Sequence, residues 1–337
     1  MRILRICVNG LPLYKNEFDI SFFAVQRVHN NHLNSVFNLF GNIYVNTVEA
    51  FAGINASGKT MALKVVSFTS ILLSATPLSA EFVPQILGDG INTIFDIDFY
   101  VDGKIYHLTS EMIKEKDQDG KPKIRITSER LWVKSVTTKI NKSNLWDYDK
   151  NTPVRVRGNS DEYLPEDVSI MIAVNKQIQN KTMFVDLAVL TNFNFLLPDA
   201  VSIPTEIISL LDPTIEYISI ENVNDKVITK LKFYRQKEHI LFNPAELNVY
   251  LSSGTVKGVR VFSDATRVLK KGGYMIVDEI ENHFNRELVA SLLRLFLYKK
   301  TNPNGAVLIF STHYPELLDE LDRNDAVFIT RSNEGLT

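Results

Sequence analysis

Gly53-Ile54-Asn55-Ala56-Ser57-Gly58-Lys59-Thr60 fills every fixed position of the pattern G-x-x-x-x-G-K-[ST]. Glycine in such a loop allows backbone conformations that aim several N–H groups inward at phosphate oxygens. Lys59 is placed to reach the β- and γ-phosphates of a nucleotide, and the Thr60 hydroxyl to sit on Mg²⁺. Asn55, Ala56 and Ser57 would supply further loop contacts.

Three other stretches could complete this chemistry. Tyr274-Met275-Ile276-Val277 is apolar and ends in Asp278-Glu279. A buried strand ending in Asp sets a carboxylate beside Mg²⁺ at the carboxyl edge of a sheet. A Glu after it can accept the proton of an attacking water. Leu251-Ser252-Ser253-Gly254-Thr255 opens a helical stretch. Taken alone it is a capped helix start, and such a start also suits an anion. Ala306-Val307-Leu308-Ile309-Phe310-Ser311-Thr312 is a second apolar run, ending at His313, which could hydrogen-bond the γ-phosphate.

These residues need particular elements beneath them. Residues 41–52 are rich in strand formers, and Thr60–Ala75 contains no Gly or Pro. Strand, loop and helix thus occur in the order a phosphate loop requires. Residues 2–8 and 18–24 read as strands, and 93–111 as a hairpin turning at Asp102-Gly103. Residues 166–215 carry three helical stretches, at 166–178, 181–193 and 204–212, and strands return at 215–242. From 255 the pattern alternates helix and strand, as a parallel sheet demands. The expected fold is therefore α/β. Residues 1–92 and 246–337 form its core in two sequence halves. An antiparallel β-subdomain is expected at 93–165, and a mainly helical insertion at 166–245.

Composition narrows the class. The 337 residues are 45% hydrophobic and 23% charged, ordinary values for a globular chain. A net charge of −2 gives no overall attraction to nucleic acid or membrane. The single cysteine, Cys7, cannot form an internal disulfide, so a cytoplasmic setting is expected. No uncharged run approaches the ~20 residues of a membrane span.

The segments GINASGKT, LSSGTVKGVRVF, GGYMIVDEIENHFN and VLIFSTHYPELLDE, in that order, resemble the ABC-fold ATPases related to SMC proteins and OLD nucleases. Within these, the chain is most similar to the bacterial AAA family ATP-binding proteins of abortive-infection and other phage-defence systems. The resemblance implies slow ATP hydrolysis with Mg²⁺. Lys59 and Thr60 would bind phosphate and metal, Asp278 would support the metal, Glu279 would be the catalytic base and His313 the switch histidine. Ser252, Ser253 and Gly254 would act on a nucleotide held by a second copy, so that ATP closes two heads face to face. The metal-linked glutamine of the family is not securely placed; Gln85 is the candidate. Residues 314–337 are too few for the nuclease domain of some relatives, so any toxic activity is expected in a separate effector protein.

Rival classes fit less well. A transporter motor needs less sequence between Lys59 and Leu251. A GTPase needs the guanine-reading N-K-x-D, and Asn175-Lys176-Gln177-Ile178 lacks the aspartate. Arg27 and His32 match a ribonuclease spacing but lie between strands rather than on a helix. A nucleic-acid-engaging, SMC-like ATPase stays open. Residues 112–142 hold nine Lys or Arg against four acids, with Lys226, Lys230, Lys232, Arg235 and Lys237 as a second run. Either run also suits a solvated hairpin face. Trp132 and Trp146 could stack on bases or belong to the core.

Overall fold

A computed structural model describes residues 1–78, 86–149, 152–158, 164–178, 181–188, 203–223, 226–282, 284–332 and 337. The chain opens with β1 (Arg2–Asn9), β2 (Phe18–Ser21), β3 (Val36–Phe40), β4 (Ile43–Asn46), β5 (Val48–Ala52) and α1 (Lys59–Ser74). There follow β6 (Asn92–Val101), β7 (Lys104–Lys116), β8 (Pro122–Ser135), β9 (Arg155–Val156), α2 (Ile172–Asn175), β10 (Phe184–Asp186) and α3 (Thr205–Leu211). Then come β11 (Ile215–Val223), β12 (Lys226–Phe233), β13 (His239–Leu241), α4 (Leu247–Tyr250) and α5 (Ser253–Lys271). The chain closes with β14 (Tyr274–Val277), α6 (Arg286–Leu297), β15 (Val307–Thr312) and β16 (Val327–Ile329).

Five strands form a parallel sheet in the order β10-β14-β15-β5-β16. Its inner strands are buried along their whole length without alternation, because both faces are covered; they are largely apolar, the exceptions being Glu49 in β5 and Ser311-Thr312 at the end of β15. On one face α5 and α6 contribute Phe262, Val268, Leu293 and Phe296. On the other lies α1, caught between this sheet and a six-stranded antiparallel sheet, β2-β1-β6-β7-β8-β9. That position explains a helix apolar nearly all round: Leu63, Val66, Phe68 and Leu72 are all essentially inaccessible. The three-stranded sheet β11-β12-β13 packs with α3 against the first turns of α5, where Val256 and Val259 are buried.

The hairpin at Asp102-Gly103 is present, with Val101 paired to Lys104. Four expectations need correction. Residues 41–52 are not one strand. They split at Thr47 into β4, paired with β3, and β5 of the parallel sheet. Stretch 181–193 is not a helix where it is described: Phe184–Asp186 is the edge strand β10, parallel to β14. Tyr274 N–H donates to Met183 O, and a Cβ on Gly273 would lie only 2.3 Å from that oxygen. The bare glycine lets the segment close on the sheet edge. Stretch 166–178 yields only the four-residue α2, so the described part of 166–245 is more strand than helix. The helix expected at 204–212 forms as α3. The antiparallel sheet also takes its first two strands from residues 2–21 rather than from 93–165 alone.

Candidate functional site

β5 carries the chain through the sheet and releases it at Gly53, and α1 begins at Lys59. The turn between them needs backbone that side chains resist: Gly58 has φ of 97° and Ala56 of 58°. The loop is braced by Ser57 N–H to Ile54 O at 3.3 Å and by the Ser57 and Thr330 hydroxyls 2.7 Å apart. The first N–H groups of α1 have no acceptor within the helix, which suits an anion at this end.

Lys59 is 4% exposed. Its Nζ donates to Gly53 O at 2.9 Å and Ile54 O at 3.0 Å, and lies 3.1 Å from His313 Nδ1. Burial lowers the ammonium from its ordinary range, with Asp278, Glu279 and Glu281 opposing the fall. An arriving phosphate would replace two weak carbonyl partners with charged oxygen.

Asp278 and Glu279 follow β14 directly. Thr60 Oγ donates to Asp278 Oδ2 at 2.8 Å, and Ser311 Oγ donates to Asp278 Oδ1. The same Ser311 oxygen accepts from the Glu279 N–H at 2.8 Å. Glu279 sits in the left-handed region with φ of 46°. Its Oε1 is 3.2 Å from His313 Nε2, and its Oε2 accepts from Asn282 Nδ2 at 3.1 Å. His313, at the end of β15, donates its N–H to Glu281 Oε1 at 2.7 Å.

Lys59, Thr60, Asp278, Glu279 and His313 therefore meet at the carboxyl edge of three adjacent strands, β14, β15 and β5. They adjoin a cleft of about 680 Å³, lined by residues 55–61 with Leu13, Lys64, Glu279 and His313. That is ample for a small-molecule ligand. Among the described residues no group of three or more His, Cys, Asp or Glu could hold a metal ion. Among the described residues, Thr60 Oγ and Asp278 are what this edge of the sheet offers a cation. So sparse a set of oxygen donors fits Mg²⁺, which keeps waters and takes phosphate oxygens.

Ser252, Ser253 and Gly254 do not line the cleft. Ser252 caps α5, accepting from Thr255 N–H at 3.1 Å, and both serines are exposed. Gln85 lies outside the described residues. The sequence also left six contributors unassigned: Ser311, Asn282 and Glu281, and the cleft-lining Leu13, Met61 and Lys64. Ser311 alone carried a signal, as a polar residue ending an apolar strand next to Thr312-His313.

A parallel sheet with a phosphate loop at its carboxyl edge and an Asp-Glu strand end beside it defines a P-loop ATPase domain of the mixed α/β type. Residues 50–319 match the profile of a family described as "AAA domain, putative AbiEii toxin, Type IV TA system". The match spans most of the chain, which belongs to that family. A search of curated proteins found no match. Membership implies ATP binding, usually with Mg²⁺. Among the described residues no helix is long and apolar enough to cross a membrane.

Proposed function

We propose that this chain is an ATP-binding and hydrolysing switch, whose two copies close face to face on ATP and thereby control a separate effector protein. What carries it is the convergence of Lys59, Thr60, Asp278, Glu279 and His313 on one cleft, while Ser252 and Ser253 stand exposed elsewhere on the same copy. Such a division of residues makes sense when the serines serve a neighbour's nucleotide. The residues of loop 53–58 and Lys59 hold the phosphates, and Lys59 leaves its carbonyl partners to do so. Thr60 and Asp278 would hold Mg²⁺, which would supply positive charge beside the phosphates. Glu279 orients water and accepts its proton, and His313 reports on the γ-phosphate through its contacts with Lys59 and Glu279.

The family's link to a Type IV toxin–antitoxin system supports a protein partner, and bacterial phage defence is the setting proposed for the pair. Direct action on nucleic acid has less support. Lys114, Lys123 and Arg125 are paired with Asp89, Glu166 and Glu115, and Lys230 and Lys232 with Glu221 and Glu216. Lys134 and Lys142 donate to backbone carbonyls. Sedimentation with and without ATP, run beside a turnover assay, tests the switch. ATP-dependent dimers that disperse on hydrolysis are expected; a species of constant size would overturn the face-to-face closure. Filter binding to duplex DNA over a salt series tests the rival, with no retention expected even at low salt.

A further inference from the structure

Lys257 lies in the first turns of α5, four residues beyond Ser253. It is 4% exposed, rare for a lysine because an ammonium loses hydration on burial. Its Nζ donates to the backbone carbonyl of Asn282 at 2.8 Å and lies 5.7 Å from the ring centre of Phe284. Burial pushes it down to about 8, with Glu279 and Glu281 opposing the fall.

Asn282 belongs to the turn that leaves β14. Its N–H donates to Glu279 O at 2.8 Å, and its side-chain amide holds Glu279 Oε2 at 3.1 Å. The other oxygen of Glu279 faces His313, which in turn faces Lys59. A continuous series of polar contacts thus joins the helix that begins at Ser253 to the carboxylate beside the phosphate loop of the same copy.

We propose that Lys257 is a positioning residue that couples segment 252–254 to Glu279 within one copy. The coupling rests on the reading that those serines meet a neighbour's nucleotide while Glu279 serves its own. Residues four apart share one face of a helix, about 6 Å apart along the axis. A load placed on Ser252–Gly254 therefore moves Lys257 with little loss. The lysine holds the Asn282 carbonyl, and Asn282 holds Glu279 in a left-handed conformation that a non-glycine residue keeps only under constraint. Each carboxylate then answers to the occupancy of the other copy's cleft, and the two sites of a dimer do not fire independently.

Lys257→Met keeps the apolar stem and removes the donor, while Lys257→Arg restores one. Three readouts apply: turnover at saturating ATP, affinity for mant-ATP at protein concentrations too low for dimers, and hydrogen exchange of residues 279–284 without nucleotide. The expected Lys257→Met result is turnover lower by roughly tenfold or more, loss of sigmoidality in ATP and unchanged mant-ATP affinity. Faster exchange confined to the turn should accompany it, with Lys257→Arg recovering most of the loss. Normal turnover with normal exchange overturns the coupling. So does a loss that Arg fails to restore and that comes with faster exchange throughout the chain. Should wild-type turnover survive Lys59→Ala, the ATPase reading itself fails; the nucleotide-free exchange then decides alone whether Lys257 holds the turn.

Discussion

Thr60 and Asp278 are joined by a hydrogen bond of 2.8 Å, although β5 and β14, the strands that deliver them, are separated in the sheet by β15. Ser311 from that middle strand holds the other oxygen of Asp278. The three strands thus deliver one oxygen cluster. Removing the hydroxyl with Thr60→Ala should raise the Mg²⁺ needed for half-maximal turnover about tenfold or more, while binding of nucleotide in EDTA persists. A Mg²⁺ titration reads this directly, and an unchanged midpoint would remove Thr60 from the metal site.

Lys59→Ala deletes the ammonium that bridges Gly53 O, Ile54 O and His313. Nucleotide binding should be abolished, as read by mant-ATP fluorescence. Affinity equal to wild type would refute the phosphate-loop assignment.

Glu279→Gln keeps the shape of the side chain and its hydrogen bond to Asn282 or His313 but cannot accept a proton. Turnover should fall by roughly 10²–10⁴ with ATP still bound, and sedimentation should show a dimer trapped by ATP. A variant with ordinary turnover would exclude Glu279 as the base.

Ser253 is exposed and lies outside its own copy's cleft. Ser253→Arg should leave mant-ATP affinity intact and stop ATP-dependent dimerisation. An intact ATP-dependent dimer in the ultracentrifuge counts against a site shared between copies.

Glu49, within β5, is wholly buried. Its Oε1 accepts from Asn46 Nδ2 at 3.2 Å, and its Oε2 has no hydrogen-bond partner among the described residues. Burial holds its carboxyl well above the usual carboxylate range, with Asn46 opposing the rise. A raised folded-state value means the folded protein binds this proton more tightly than the unfolded chain. The stabilisation is complete at pH below the ordinary value and drains away as pH rises towards the raised one. Every tenfold gain in proton affinity on folding corresponds to about 1.4 kcal/mol. Glu49→Gln should flatten the dependence of melting temperature on pH from the acid range upward and raise it above wild type at alkaline pH. Parallel pH curves for the two proteins would place the proton elsewhere.

The phosphate loop, the Asp-Glu strand end, α5 and the strand before His313 were legible because each is a local pattern: fixed spacing, an apolar run, a capping serine. The three-residue β10 was not, since it exists through the missing Cβ of Gly273 and a sheet edge formed by distant residues. The pairing within the basic run at 112–142 was not legible either. Lys114 and Lys123 find Asp89 and Glu166 only once the chain folds, so charge counted along the run leaves out acids that come from outside it. Lys257 looked like one more helix lysine, because its burial depends on a turn 25 residues away. Ser311, by contrast, was visible as a residue and opaque as a role: only the adjacency of β14 and β15 reveals which carboxylate it holds.

β5 has as its two hydrogen-bonded neighbours β15 and β16, both from the far end of the sequence. During synthesis the phosphate loop leaves the ribosome on the order of ten seconds or more before the strands that frame it, at ~5–20 residues per second. Pairing across so much chain is also slow to form. A half-made copy lacks both strands that flank β5 and so lacks the frame on which Gly53–Thr60 is held. On the proposed reading, binding competence should therefore come only with the last strands, and incomplete copies should stay out of an ATP-driven pair.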